Sequence, residues 1–582
     1  MKKTLIVIAM VIVSVFACLA MLACEKANEH VHKYDDYINH FNRFGHWREC
    51  DCGRIVDGGE HKYDNDNNCT ICKYHYELII ELEYRLNDDE QSYSVVGMGN
   101  VTETEIVIPD TYNDKPVTSI GVRAFYFSDI KSVTIPDSIR IIESEAFENC
   151  SSLKSVIIPD YVTNIGDWAF GYCISLESIT LPKNITSLGN YTFFNCKSIE
   201  NITIPDGVIS IGESVFSSCE SLKSITIPNS VTSIDGAVFS GCINLESIII
   251  PDSVTSIDNA TFSGCSSLKN VALPNSLTSI GERAFYDCIS LERVALPDSI
   301  TTIGKEAFGS CSSLESITIP DGVTRIEDDT FYDCISLESI TLSDSLTSIG
   351  RQAFIRCKSL KNIKIPDCVT SIEDNAFNGC ESITSIEIPE GVKSIGAGAF
   401  EYCFHLESVT IPEGVKSIGL AAFCACGNLK SIILPNSVTI IENYIFSGCR
   451  SLVSITIGNN VTSIGQGAFS SCSSLESINI PEGVTSIGDW AFGGCKNLKS
   501  ITIPTSVVSI GTGTFSHLEG PLDITYNGTI DEWEAIYKGD EWYATYEESF
   551  FNEETESMES IFTMKTTVIH CKNGVIRIGE ED

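Results

Sequence analysis

The chain has 582 residues, with 78 Asp and Glu against 38 Lys and Arg, for a formal net charge of −40. So acidic a chain excludes a nucleic-acid role, which needs clustered cations to displace phosphate counterions. Its hydrophobic content of 43% excludes generic disorder, because that fraction supplies a large core.

At the start of the chain, Lys2 and Lys3 precede an apolar run from Leu5 to Ala23, interrupted only by Ser14. Cys24 ends the run, and Glu25, Lys26, Asn28 and Glu29 follow. The layout predicts an export signal over residues 1–23. Met21-Leu22-Ala23-Cys24 resembles a bacterial lipobox, with Met21 and Leu22 departing from its usual residues. The resemblance implies a thioether-linked lipid on Cys24, and hence a lipid-anchored protein held at the membrane. Cleavage without lipid and an uncleaved anchor are the alternatives, since the run is just long enough to span a bilayer. Every alternative places the rest of the chain outside the cytoplasm.

Residues 24–77 read as a His/Cys-rich module. Six of the nine histidines fall between His30 and His75. The core runs His46-Trp47-Arg48-Glu49-Cys50-Asp51-Cys52, then His61, then Cys69-Thr70-Ile71-Cys72. Thiolate with imidazole suits zinc, and two close cysteine pairs can converge on one ion. Cys50, Cys52, Cys69 and Cys72 are the candidate ligands, with His46 and His61 replacing a thiolate or completing a second shell. Two other readings stay open: disulfides between the pairs, or solvated side chains in a linker.

From residue 125 onward one period governs the sequence. Phe147 recurs every 23 residues through Phe515 without a slip, and Phe125 joins the series one residue short, making 18 copies. In one copy, Cys242 to Phe262, Ile248 and Ile250 sit two apart, as one face of a short strand requires. Pro251 ends the strand, having no backbone donor, and Pro251-Asp252 starts a turn. Val254 and Ile257 return to the core, Gly in most copies follows that Ile and allows a bend, and Phe262 fills the wide side. One such coil cannot bury its own apolar face, but a stack of them can. The prediction is a mainly β repeat solenoid with a parallel sheet along one side.

The pattern Cys-x-x-Leu-x-x-Ile-x-Ile-Pro-x-x-Val-x-x-Ile-Gly-x-x-Ala-Phe, as in Cys472 to Phe492, resembles the BspA-type leucine-rich repeats of bacterial surface proteins. The resemblance implies a leucine-rich-repeat superhelix over residues 117–518, between an N-terminal cap (78–116) and an acidic C-terminal cap (519–582). It also implies a surface-exposed protein. Its implied partners are host matrix proteins, or the proteins and glycans of neighbouring cells.

Sixteen cysteines lie three residues after a repeat Phe, from Cys150 to Cys495. Ser128 and Leu518 take that position in the end copies, which marks a small packing site. The reading is buried free thiols, with oxidation open to loosened turns. In the C-terminal cap, Ile530 to Ile536 has helical spacing. Trp533 and Trp542 are expected to pack inside the cap, and the glutamates Glu547 to Glu559 to mark a solvated loop.

No nucleophile motif, phosphate loop or converging set of unlike polar groups points to an enzyme. The repeats offer a surface instead. Outward columns run through Ser155, Ser178 and Ser247, and through Thr180, Thr203 and Thr226. Asn270, Arg293 and Lys364 depart from that background and are the candidate ligand-binding residues. The leading function is macromolecular binding or adhesion at the cell surface, through a protein or glycan ligand. The alternative is a metal-binding or metal-sensing lipoprotein with the solenoid as scaffold. A structural spacer of the envelope is a third reading.

Overall fold

The structure, a computed structural model, describes residues 81–543 and 565–579 in full. It also describes the backbone of five further strands: Ile38–Asn42, Gly45–Glu49, Ile55–Gly59, Thr545–Asn552 and Ser557–Met564. Residues 1–81 and 82–582 form two compact units. In the first, the three described strands make an antiparallel sheet in chain order. His46 lies in its middle strand, with its backbone opposite Phe41 and Gly59. Cys24, Cys50, Cys52, Cys69, Cys72 and His61 lie outside the described residues, as does the side chain of His46.

The second unit is a β-solenoid. In the turn around Phe170, the strand Ser155–Ile157 buries Val156 and exposes Ser155 and Ile157. It pairs in parallel with Ser132–Thr134 on one side and Ser178–Thr180 on the other. Val162 then donates its backbone N–H to Pro159 O at 3.0 Å, closing the turn expected after the proline. A second strand follows at once. Asn164–Ile165 pairs in parallel with Ile141–Ile142, which pairs with Lys115–Ile120. The structure therefore carries two rows of parallel strands where the sequence predicts one. Beyond Lys115–Ile120, the repeat strands of this row are two residues long, too short to leave an alternating pattern.

A third hydrogen-bonded row runs along the Phe side. The N–H groups of Trp168, Phe170 and Tyr172 donate to Asn190 O, Thr192 O and Phe194 O of the next turn, at 2.9, 2.9 and 2.7 Å. This row requires left-handed backbone two residues before and two after the Phe. Trp168 has φ 59° and Tyr172 φ 60°, and Ala260 with Gly264 repeat the arrangement at 53° and 73°. Each non-glycine residue there costs about 1 kcal/mol, and the inter-turn hydrogen bonds hold it in place.

The glycine after Ile answers to crowding and not, as the sequence suggests, to a bend. A Cβ on Gly281 would lie 2.7 Å from Asn259 N, and one on Gly304 would lie 2.6 Å from Glu282 N, both in the preceding turn. No positive φ occurs at either position.

Inside, the 18 phenylalanines are all buried. Successive rings stack face to face, from 5.0 Å between the centroids of Phe125 and Phe147 to 5.8 Å between those of Phe423 and Phe446. Beside them, each ladder thiol donates to the carbonyl of the preceding turn's Phe, as Cys242 Sγ does to Phe216 O at 3.1 Å and Cys311 Sγ to Phe285 O at 3.1 Å. All sixteen ladder cysteines are free and buried, as expected. Burial pushes the thiols of Cys242 and Cys403 up to about 12, so they stay protonated at neutral pH. The slot is thus a packing site that also satisfies a buried carbonyl.

Hairpins close the described ends. At the N-terminal end, Glu83–Leu86 pairs with Tyr93–Gly97, which runs parallel to Lys115–Ile120. At the other, Thr567–Cys571 extends the sheet beyond Leu522–Tyr526, and Gly574–Ile578 folds back on it. The helix Ile530–Glu534 starts with a capping box between Thr529 and Glu532. Trp533 and Trp542 are buried with ring centroids 5.7 Å apart, which makes them cap packing. The loop expected around the glutamates is corrected for three of them: Glu547, Glu548 and Glu559 lie in the antiparallel strands Thr545–Asn552 and Ser557–Met564, while Glu553, Glu554 and Glu556 lie outside the described residues. The aromatic and β-branched residues between them, Tyr546, Phe550 and Ile561 among others, favour extended backbone.

Candidate binding surface

The first strand row presents its outward residues as two parallel columns. The buried partners of these residues fix the register: Ile248 is buried between exposed Ser247 and Ile249, and Ile317 between exposed Ser316 and Thr318. A one-residue slip would expose the isoleucines, so the Ser and Thr columns cannot rotate inward. Small hydroxyl side chains lose little entropy when a ligand orders them.

The edges of this face differ. Just before each strand, Lys and Glu recur in register, and ion pairs join successive turns: Lys223 with Glu200 at 3.3 Å, Lys361 with Glu338 at 2.9 Å, Lys430 with Glu407 at 2.6 Å. Just after each strand, beyond the proline position, the residue is most often acidic. Six consecutive turns place Asp298, Asp321, Asp344, Asp367, Glu390 and Glu413 there, all exposed. None of the six forms a side-chain ion pair among the described residues. The face is therefore neutral and hydroxyl-rich, with a paired rim on one side and an anionic rim on the other. Reading the residue after each proline down the repeats would have found that rim.

Asn270, Arg293 and Lys364 are all exposed on this face, but they do not converge. Arg293 stands one turn from Asn270 in the same column. Lys364 is three turns further and in the other column, roughly 15 Å away at the spacing of parallel strands. Arg293 is held by Glu315 at 3.0 Å. Lys364 makes no ion pair among the described residues. It lines an open depression of about 420 Å³ with Asn362, Asp367, Ser385 and Glu387. That depression offers an ammonium beside two carboxylates.

Away from the sheet, His405 Nδ1 lies 2.7 Å from Glu381 O, so a backbone carbonyl holds the ring at the surface. Cys368 is exposed, and Cys424 and Cys571 are partly exposed. Burial and the neighbouring Glu401 push the Cys424 thiol up to about 11.

A family model described as "BspA type Leucine rich repeat region (6 copies)" matches residues 118–246, 232–360, 301–430 and 416–534. Among solved structures, a leucine-rich repeat protein from Bacteroides ovatus is 30% identical, covering 74% of this chain and 95% of its own, with a TM-score of 0.45. A leucine-rich cell surface protein from Faecalibacterium prausnitzii is 28% identical over 83% of this chain and 98% of its own, with a TM-score of 0.26. The leucine-rich repeat protein of T. pallidum is 26% identical over 40% of this chain and 87% of its own, with a TM-score of 0.29. No curated protein matches the chain.

Proposed function

This chain belongs to the BspA-type leucine-rich-repeat family, and from that premise we propose that it is an exported surface protein whose strand face binds a macromolecule, a protein or a glycan. One observation carries the reading: a long, register-locked column of exposed Ser and Thr, bordered on one side by unpaired carboxylates. Such a face fits an extended ligand better than a small one, because its hydrogen-bonding groups are spread along the stack and not gathered in a pocket. The apolar run ending at Cys24 supports export and a lipid anchor on that cysteine.

Arg293 and Lys364 are the positions at which the face departs most from its background. The test is solid-phase binding of the full chain to matrix proteins and a glycan panel, repeated with Arg293→Glu and Lys364→Glu. Saturable binding weakened severalfold by either swap, with the unfolding midpoint unchanged, supports the reading. Saturable binding untouched by both swaps moves the ligand off these residues, and no saturable ligand favours a spacer.

We also propose zinc for the module of residues 24–77, on the spacing of Cys50, Cys52, Cys69 and Cys72 with His46 and His61. Stoichiometric zinc in the purified chain supports it; four cysteines isolated as two disulfides would count against it.

A further inference from the structure

Every position on the Phe-side surface recurs once per turn, so an unusual occupant stands out against the rest of the chain. Around Phe239 and Phe262 the positions two before, one after and two after the Phe hold Ala237, Ser240, Gly241, Ala260, Ser263 and Gly264. Around Phe125, Phe147 and Phe170 the same positions include Tyr126, Phe127, Glu145, Glu148, Trp168 and Tyr172. The fold does not need these side chains there, since it is built equally well on Ser, Ala and Gly.

They form two aromatic walls with an acidic turn between. Tyr126 and Phe127 meet edge to face at 4.6 Å, and Trp168 and Tyr172 lie nearly parallel at 6.1 Å. Phe127 is 65% exposed and Tyr126 40%. The walls belong to turns two apart, hence about 10 Å from each other, and the turn between them bears Glu145 and Glu148. Arg123 pairs with Glu145 at 2.5 Å and lies 5.3 Å over the Tyr126 ring. Glu148 makes no such contact, and Arg123 acts on it only at longer range, so one cation serves two carboxylates. Glu148 accepts a hydrogen bond from Asn149 Nδ2 at 3.3 Å and makes no ion pair among the described residues. Burial and the neighbouring Glu145 raise its carboxyl above the usual carboxylate range.

A half-buried carboxylate that shares its one nearby cation with Glu145, in a turn flanked by turns bearing aromatic rings, is complementary to a cation that can stack on the rings and neutralise the remaining charge. The chain already satisfies its own cations this way. Arg283 pairs with Glu306 at 2.8 Å and lies 5.7 Å over Tyr286, and Lys538 lies 5.1 Å over Trp533. A neutral sugar would use the rings but leave the net negative charge of Glu145 and Glu148 with Arg123 uncompensated. We propose that the surface formed by Tyr126, Phe127, Glu148, Trp168 and Tyr172 binds lysine or arginine side chains of a partner protein. The site is separate from the strand face and stands independently of the reading given for it.

The test is fluorescence anisotropy of a labelled peptide alternating lysine and glycine, titrated with the full chain at low and physiological salt. The variant Trp168→Ser with Tyr172→Ser places at both positions the residue that Ser214 and Ser218 already supply two turns on. Glu148→Gln keeps shape and removes charge, and Glu413→Gln on the anionic rim is the control. Loss of one good cation–π contact, with its charge partner retained, predicts roughly tenfold weaker binding for the double variant. A severalfold loss is expected for Glu148→Gln and none for Glu413→Gln. Binding unaffected by the double variant overturns the proposal. So does a neutral N-acetylglucosamine tetramer that binds through Trp168 when the peptide does not, which would make the site a glycan site. If the double variant fails to fold, Glu148→Gln decides alone.

Discussion

The strand side and the Phe side of each turn solve one stacking problem in opposite ways. On the strand side the backbone is extended, the buried Val or Ile is flanked by outward residues, and those outward residues vary: Ser247, Asn270, Arg293 and Ser316 follow one another in one column. On the Phe side the backbone alternates with left-handed residues, and Phe and Cys recur with little change, while the close-approach glycine gives way to Asp or Glu in six copies, as at Asp258 and Glu327. Outward strand residues touch mostly solvent, so changing them costs little. Phe-side groups touch their own counterparts above and below, so one change is felt twice. Function has freedom to vary on the first side. On the second it has freedom only at surface positions such as those of Trp168 and Tyr172.

The largest effect should come from charging the Phe side. The thiols of Cys242 and Cys403 are held protonated when folded, with a folded pKa of about 12 against the ordinary value of 9.0. Above that ordinary value the unfolded chain releases protons that the folded chain retains. Stability is therefore complete below pH 9 and is lost progressively as pH rises toward 12. Urea midpoints at pH 8, 9 and 10 should fall in that order. Midpoints that hold steady from pH 8 to pH 10 would break the account.

Next comes Phe308→Ala, which removes one ring from the middle of the stack and should cost about 3–5 kcal/mol. Thr318→Ala on the strand face of the next turn should stay within about 0.5 kcal/mol. Equal losses in urea titrations would show that the two sides do not differ as described. A smaller loss, about 1–3 kcal/mol, is expected for Gly304→Ala. Its new Cβ meets backbone of the preceding turn, whereas Gly520→Ala, with nothing within 4 Å, should be neutral. A neutral Gly304→Ala in thermal unfolding would overturn crowding as that glycine's reason.

Phe262 was legible from its period alone, and it stacks 5.5 Å from Phe239 as a 23-residue repeat demands. Ser256–Ile257 was not legible as a strand, because two residues show no alternation and its pairing with Ser279–Ile280 lies 23 residues away. Nor does Ala260 announce a left-handed backbone; hydrogen bonds from the adjacent turn impose it. On the candidate surface the exposure of Asn270, Arg293 and Lys364 followed from strand alternation. Their failure to converge is a matter of which turn and which column each occupies. The neutralisation of Arg293 by Glu315 likewise appears only once the turns are stacked.

The sequence by itself determined the solenoid, its period, its buried ladders and its outward columns, because a repeated apolar pattern has one way to bury itself: against copies of itself. Only the tertiary structure decided which hydrogen bonds join the turns, where the backbone becomes left-handed, and which charges are paired. These depend on atoms in neighbouring turns, brought to hydrogen-bond distance by stacking and separated along the chain by 22 to 26 residues.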